Sequence, residues 1–156
     1  MSPGRAGLSS TSVFPNRIDF TYMSSGRTVG RVGEACIAPG ADKVGTVWAI
    51  SAETGQTAWK YEQRSGMLSL AATAGGLIFG GDSNGRFKAL DDRTGKVLWE
   101  INLGSSVSGY PVSFAVGGKQ YIAAITGASN EANSTEALTP ELKAGRDANV
   151  FVFALP

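Results

Sequence analysis

The sequence predicts an all-β fold, a partial β-propeller of about two and three-quarter four-stranded antiparallel blades. Three observations predict it. A strand–turn–strand unit occurs twice, as GTVWAISAETGQTAW at 45–59 and GRFKALDDRTGKVLW at 85–99. Its anchors Gly45/Gly85, Ala49/Ala89, Thr54/Thr94, Gly55/Gly95 and Trp59/Trp99 all lie 40 residues apart. That spacing is the period of a propeller blade. The chain also spends 21 of its 156 residues on Gly, which suits frequent strand-to-strand turns and argues against a helical bundle. Finally, the second copy of the unit has the alternation of a strand: Phe87, Ala89 and Asp91 fall between Arg86, Lys88 and Leu90.

Taken in order, residues 1–44 read as an irregular lead-in with a strand pair of the first blade. The apolar end at Val13 and Phe14 is followed by RIDFTYM, 17–23, with Ile18, Phe20 and Tyr22 on one face. Residues 24–44 read as a long excursion. The hairpin 45–66 completes the first blade. A full blade spans 67–104: two strands meet at Gly75-Gly76, then Asp82-Ser83-Asn84-Gly85 turns into the second copy of the hairpin. In that copy Asp92-Arg93-Thr94-Gly95 is the turn, with Gly95 supplying a positive φ. The last blade, 105–156, has strands at 110–116 and 120–126 around Gly117-Gly118. A polar insert, 127–147, follows, with a helical turn expected at 139–143, where Pro140 succeeds Thr139. NVFVFAL closes as a third strand, and no fourth strand with its Thr-Gly turn and Trp is present. Such a blade leaves backbone unpaired along one edge. Because repeats bury their faces against neighbours, and a ring needs roughly four to eight blades, the expectation is that this chain is part of a longer protein.

Composition narrows the chemistry. Hydrophobic residues make up 42% and charged residues 17%, as in a globular protein. The net charge of +1 gives no reason to expect nucleic acid as a partner. No apolar run approaches the roughly 18 residues that span a bilayer, and the first residues lack the apolar core of a signal peptide. Cys36 is the single Cys, so no disulfide can form within the chain, and it reads as a loop or small core residue. There is no His. That removes Ser-His-Asp and Cys-His catalysis, His-based zinc sites and haem attachment through CxxCH. No catalytic residue and no metal ligand is assigned. Asp82, Asp91, Asp92 and Glu100 read as turn formers and solvated charges. Trp59 and Trp99 read as outer-strand aromatics that stack on the neighbouring blade.

The unit Ala-x-Asp-x-x-Thr-Gly-x-x-x-Trp resembles the tryptophan-docking motif of alcohol dehydrogenases that use pyrroloquinoline quinone (PQQ). Ala89, Asp91, Thr94, Gly95 and Trp99 fit it, and so do Ala49, Thr54, Gly55 and Trp59, with Ser51 where Asp is usual. The stretch ATAGGLIFGGDSNGRFKALDDRTGKVLW, then Gly109-Tyr110-Pro111-Val112, GGKQYIAAITG and a terminal VFALP, is similar to the last blades of the methanol/ethanol-type quinoproteins. The similarity covers 45–127 well and 1–44 loosely. It implies the C-terminal blades of an eight-bladed propeller and a PQQ cofactor with a Ca2+ or lanthanide ion. The ion's Glu and Asn ligands, the Asp general base and the disulfide of adjacent cysteines are expected outside this chain.

The resemblance also supplies candidate cofactor-binding residues. Met67 stands where methanol-oxidising members carry a Trp beneath the quinone, and a thioether can pack on a flat ring. Plain packing is the alternative for this residue. Ser129 and Asn130 lie in ASNEAN, 128–133, where family members often have Gly-Gly-Trp near the quinone; they can bond cofactor carbonyls. The implied function is oxidation of an alcohol by the whole enzyme, with this chain inactive alone. Its partners would be the remaining propeller blades, the alcohol substrate and a cytochrome c-type electron acceptor, in the periplasm. A non-enzymatic propeller scaffold for protein interactions, and a domain that closes a ring from several copies, are the alternatives.

Overall fold

The computed structural model describes residues 10–12, 19–22 and 42–154. Cys36, Val13, Phe14 and most of the lead-in lie outside these residues. The described chain forms three antiparallel sheets. The first pairs β1 (Ser10–Ser12), β2 (Asp19–Tyr22), β3 (Gly45–Ile50) and β4 (Thr57–Gln63) in sequence order. The second does the same with β5 (Met67–Ala72), β6 (Leu77–Asp82), β7 (Arg86–Asp91) and β8 (Val97–Asn102). The third has β9 (Val112–Val116), β10 (Lys119–Ile125) and β11 (Val150–Ala154), with β10 in the middle. Among the described residues no strand pairs with the outer edge of β11.

The 40-residue repeat is exact enough to repeat its irregularities. Pairing of β3 with β4 slips between Ala49 and Ile50, and pairing of β7 with β8 slips between Ala89 and Leu90. Both hairpins close through the same pair of bonds. Gly55 N–H donates to Ser51 O at 2.8 Å, and Gly95 N–H to Asp91 O at 2.9 Å. Both glycines sit at positive φ, 68° and 70°, where a Cβ would be strained. Asp91 Oδ1 accepts from the Thr94 N–H and hydroxyl at 2.8 and 2.7 Å. Ser51 fills the same role with its Oγ, accepting from Thr54 N–H at 3.3 Å. Replacement of Asp by Ser thus keeps the turn with one longer bond.

Burial explains why the strands pack in series. On β7 the run Phe87, Lys88, Ala89, Leu90 is buried on both faces. Leu90 and Ile78 join Val47, Ala49, Trp59 and Met67 between the first and second sheets. Phe79, Phe87 and Ala89 join Val107, Ile122 and Ala124 between the second and third. Each fully buried large side chain contributes roughly 1.5–3 kcal/mol. The second sheet is therefore the sandwiched one, as a blade with two neighbours must be.

The insert differs from expectation. It holds a helix that the sequence reading does not expect, α1 (Asn130–Glu136), as well as a turn at 139–142. The Ser129 hydroxyl accepts from Ala132 N–H at 3.0 Å, satisfying an N-terminal amide that would otherwise lack a partner. Thr139 and Pro140 begin that turn, with Leu142 N–H donating to Thr139 O.

Candidate functional site

Antiparallel pairing sorts the connections onto two rims. One rim carries the tight turns after β3, β5, β7 and β9. The other carries the connections at 64–66, 83–85, 103–111 and 126–149, the last two of them long. The three candidate cofactor residues all fall on this second rim, but they do not converge. Met67 is 3% exposed and belongs to the core between the first two sheets. Its sulfur accepts from Gln63 Nε2 at 3.0 Å, and its terminal methyl sits over Gly80. In this chain its side chain is packed inside that core. Ser129 is half-buried and its Oγ caps α1. Asn130 is exposed at the first turn of that helix. The far end of α1 is the part near Met67: Thr135 stands over Gly66, where a Cβ would lie 2.5 Å from its methyl. Asn130 is five helical residues away, about 7–8 Å along the axis.

The densest polar group on this rim was not legible as a site. Asp82, read from sequence as a solvated turn residue, is 1% exposed. Its Oδ1 accepts from Asn84 and Arg86 N–H, both at 2.9 Å. Its Oδ2 accepts from Lys88 Nζ at 2.7 Å and Gln63 Nε2 at 3.3 Å. Lys88, itself 2% exposed, also reaches Glu100 at 3.3 Å. Burial works against ionisation of Glu100, but the Lys88 charge and the Arg86 and Lys88 hydrogen bonds outweigh it and hold its pKa below the ordinary value. Tyr61 donates to Gln63 Oε1 at 3.0 Å. Burial first, then the Glu100 and Asp82 charges, push its phenol pKa up. The signal in the sequence was Lys88 itself, a charge inside the buried run Phe87–Leu90. A buried Lys needs a buried partner.

Nearby hydroxyls are likewise committed. Ser65 and Ser83 share a hydrogen bond at 3.0 Å, Ser106 donates to Ser83 O at 2.7 Å, and Ser105 Oγ accepts from Asp147 N–H at 3.1 Å. Holding a flat, anionic quinone needs converging cationic or hydroxyl donors beside an open apolar surface. The described residues of this rim do not fit that need, because their donors are turned on one another and Met67 is sealed. Among the described residues no group of three or more Cys, Asp or Glu side chains is placed to hold a metal ion.

At the other rim the sheets lock together through Trp59. Its ring lies on Gly95 of the next sheet's turn, and its Nε1 donates to Asp92 O at 2.9 Å. Trp99 is the equivalent residue of the second sheet and remains 39% exposed. It packs edge-on to Phe153 with ring centroids 5.4 Å apart, and to Phe87 at 6.1 Å. The third sheet turns a second apolar face away from both others. Pairing registers place Val112, Phe114 and Val116 of β9, Ile125 of β10, and Val150 and Val152 of β11 on it. All six are 39–67% exposed, an apolar patch of the kind that marks an interface.

Residues 63–122 match the sequence model of the glucose/ethanol/alcohol dehydrogenase β-propeller domain, named for PQQ. Over 107 residues the chain is 34% identical to the quinoprotein ethanol dehydrogenase of Pseudomonas putida, covering 68% of this chain and 16% of that protein. It is 40% identical over 88 residues to the lanthanide-dependent methanol dehydrogenase of Methylacidiphilum fumariolicum, covering 55% and 14%. Among solved structures, a europium-containing methanol dehydrogenase superposes with a TM-score of 0.65 at 29% identity, over 74% of this chain and 24% of that one. The chain thus spans only about one-seventh of the curated relatives it matches. In sequence it is similar to the quinoprotein alcohol dehydrogenases, and its three sheets form a partial β-propeller.

Proposed function

We propose that this chain is the propeller-wall sector, at the C-terminal end, of a periplasmic quinoprotein alcohol dehydrogenase. The whole enzyme would oxidise an alcohol with PQQ and a Ca2+ or lanthanide ion and pass electrons to a cytochrome c-type acceptor. When bound elsewhere in the whole enzyme, the quinone would supply the two-electron oxidising capacity. The residues of this chain build and brace the wall around that chemistry. The observation that carries the reading is the seat of Trp59 of the first sheet on the turn Gly95 of the second, in a chain whose 63–122 segment matches the dehydrogenase propeller. The open apolar face of the third sheet supports it as well, since in a longer propeller the next blade would cover that face.

Two experiments test it. Purified as 156 residues and supplied with PQQ and Ca2+ or a lanthanide, the chain is expected to reduce no artificial electron acceptor in the presence of ethanol or methanol. Turnover by the chain alone would overturn the assignment of its role to the wall. Fractionation of the source cells is expected to place the protein in the periplasm, and a cytoplasmic pool would count against that part.

A further inference from the structure

We infer that the insert after β10 is a strap that latches the third sheet to the first across the second, and that Arg64 is its latch. Arg64 lies in the connection between β4 and β5. All three of its guanidinium nitrogens are used. Nε and Nη2 donate to the two carboxylate oxygens of Glu141, at 2.6 and 3.2 Å. Nη2 also donates to Leu138 O, and Nη1 to Asp42 O, both at 3.0 Å. The fork of an Arg makes such a paired contact directional in a way a Lys cannot. The residues it joins are more than 70 positions apart.

The rest of the insert is fitted to the same path. The methyl of Thr135 fills the space a side chain at position 66 would need. Glu136 accepts from the Ser106 hydroxyl at 3.0 Å and pairs with Arg146 at 3.5 Å. Gly145 bridges to Ser105, its N–H reaching Gly104 O at 2.6 Å. The strap therefore touches the exit of the first sheet and the connection leaving the second, and it is rooted in the third. Blades stacked in series contact only their immediate neighbours. A tie from the third to the first adds a contact that series stacking lacks, and fixes the angle of the sector as a unit.

The test is amide hydrogen exchange on the 156-residue chain, comparing Arg64→Ala, Arg64→Lys and Glu141→Gln with the parent. The amides to follow are those of Ala137, Leu138, Thr139 and Leu142 in the insert, with β6 and β7 as the reference. Loss of the charge-assisted bonds is expected to speed exchange in the insert by about tenfold or more in Arg64→Ala, less in Arg64→Lys, with β6 and β7 unchanged. Unchanged exchange in the insert would overturn the latch. So would an increase spread evenly over all three sheets, which would make Arg64 an ordinary contributor to global stability. Glu141 is exposed, so Glu141→Gln keeps the test valid if Arg64→Ala fails to fold.

Discussion

The indole of Trp59 packs against Gly95, 36 positions further along the chain, with its Nε1 donating to Asp92 O at 2.9 Å. Two sheets are joined there by one aromatic ring, one missing Cβ and one hydrogen bond. Gly95 is required twice over, by its φ of 70° and by the ring above it. Its repeat partner Gly55 has nearly the same φ and open space around it. Gly55→Ala should therefore cost about 1 kcal/mol of backbone strain, and Gly95→Ala about 2–4 kcal/mol, because the ring must also move. Urea unfolding of the two variants measures the difference, and equal losses would mean that the ring's seat contributes little.

The buried Lys88–Asp82 pair supports a second expectation. Lys88→Met leaves Asp82 buried beside Gln63 without its cation and should cost about 3–5 kcal/mol. Adding Asp82→Asn should recover part of that loss, because the stranded charge is then gone. A single variant within 1 kcal/mol of the parent, roughly the value of an exposed pair, would show that water reaches Asp82.

These two examples also mark how far the sequence could be read. The repeat at 40 residues located both tight hairpins, and Gly75-Gly76 marked the two strands before the second one, because turn chemistry and apolar alternation are local properties. The register slips at Ala49 and Ala89 follow from the same repetition. The burial of Asp82 was not legible, because Asp-Ser-Asn-Gly is a turn sequence whichever way the Asp side chain faces. The buried Lys88 and, from the neighbouring sheet, Gln63 fix it inward. Helix α1 of the insert is illegible for a related reason. Pro140 is a good helix start locally, but Ser129 caps an earlier helix whose Thr135 fits over Gly66, a contact between segments far apart in the chain. The burial of Met67 between the first two sheets likewise depends on contacts far apart in the chain. The signal for Arg64 would have been Glu141, but nothing local links them.

Acid should loosen the strap before the sheets. Arg64, through its hydrogen bond, holds the pKa of the Glu141 carboxyl below its ordinary value of 4.5. A carboxylate with a depressed folded pKa stabilises above its unfolded value, and that contribution is lost as pH falls through the folded value. Protection of the insert amides, exchange being corrected for its intrinsic pH dependence, should therefore fall below pH 4.5, and Glu141→Gln should abolish that loss. Asp91 is held low by its Thr94 hydrogen bonds, so the second hairpin turn has an acid limit of its own, which Glu141→Gln leaves in place. A pH-independent insert between 6 and 3 would contradict the coupling.

The uncovered face of the third sheet gives a prediction that depends on what covers it. Val152 is 53% exposed, so Val152→Lys should change the stability of the 156-residue chain by no more than about 0.5 kcal/mol. Within a longer propeller the same substitution would bury an unpaired ammonium and should be severely destabilising. Thermal unfolding in both contexts checks it. Tolerance in the longer protein would show that no blade packs there.

The most direct test of the proposed role is native mass spectrometry of the protein isolated from its source cells, with quinone content measured on the same sample. The expected result is a polypeptide several times longer than 156 residues that carries one PQQ and a Ca2+ or lanthanide ion. A quinone-free species with the mass of these 156 residues alone, or of a ring of identical copies, would contradict the assignment of this chain as a wall sector of a quinoprotein dehydrogenase.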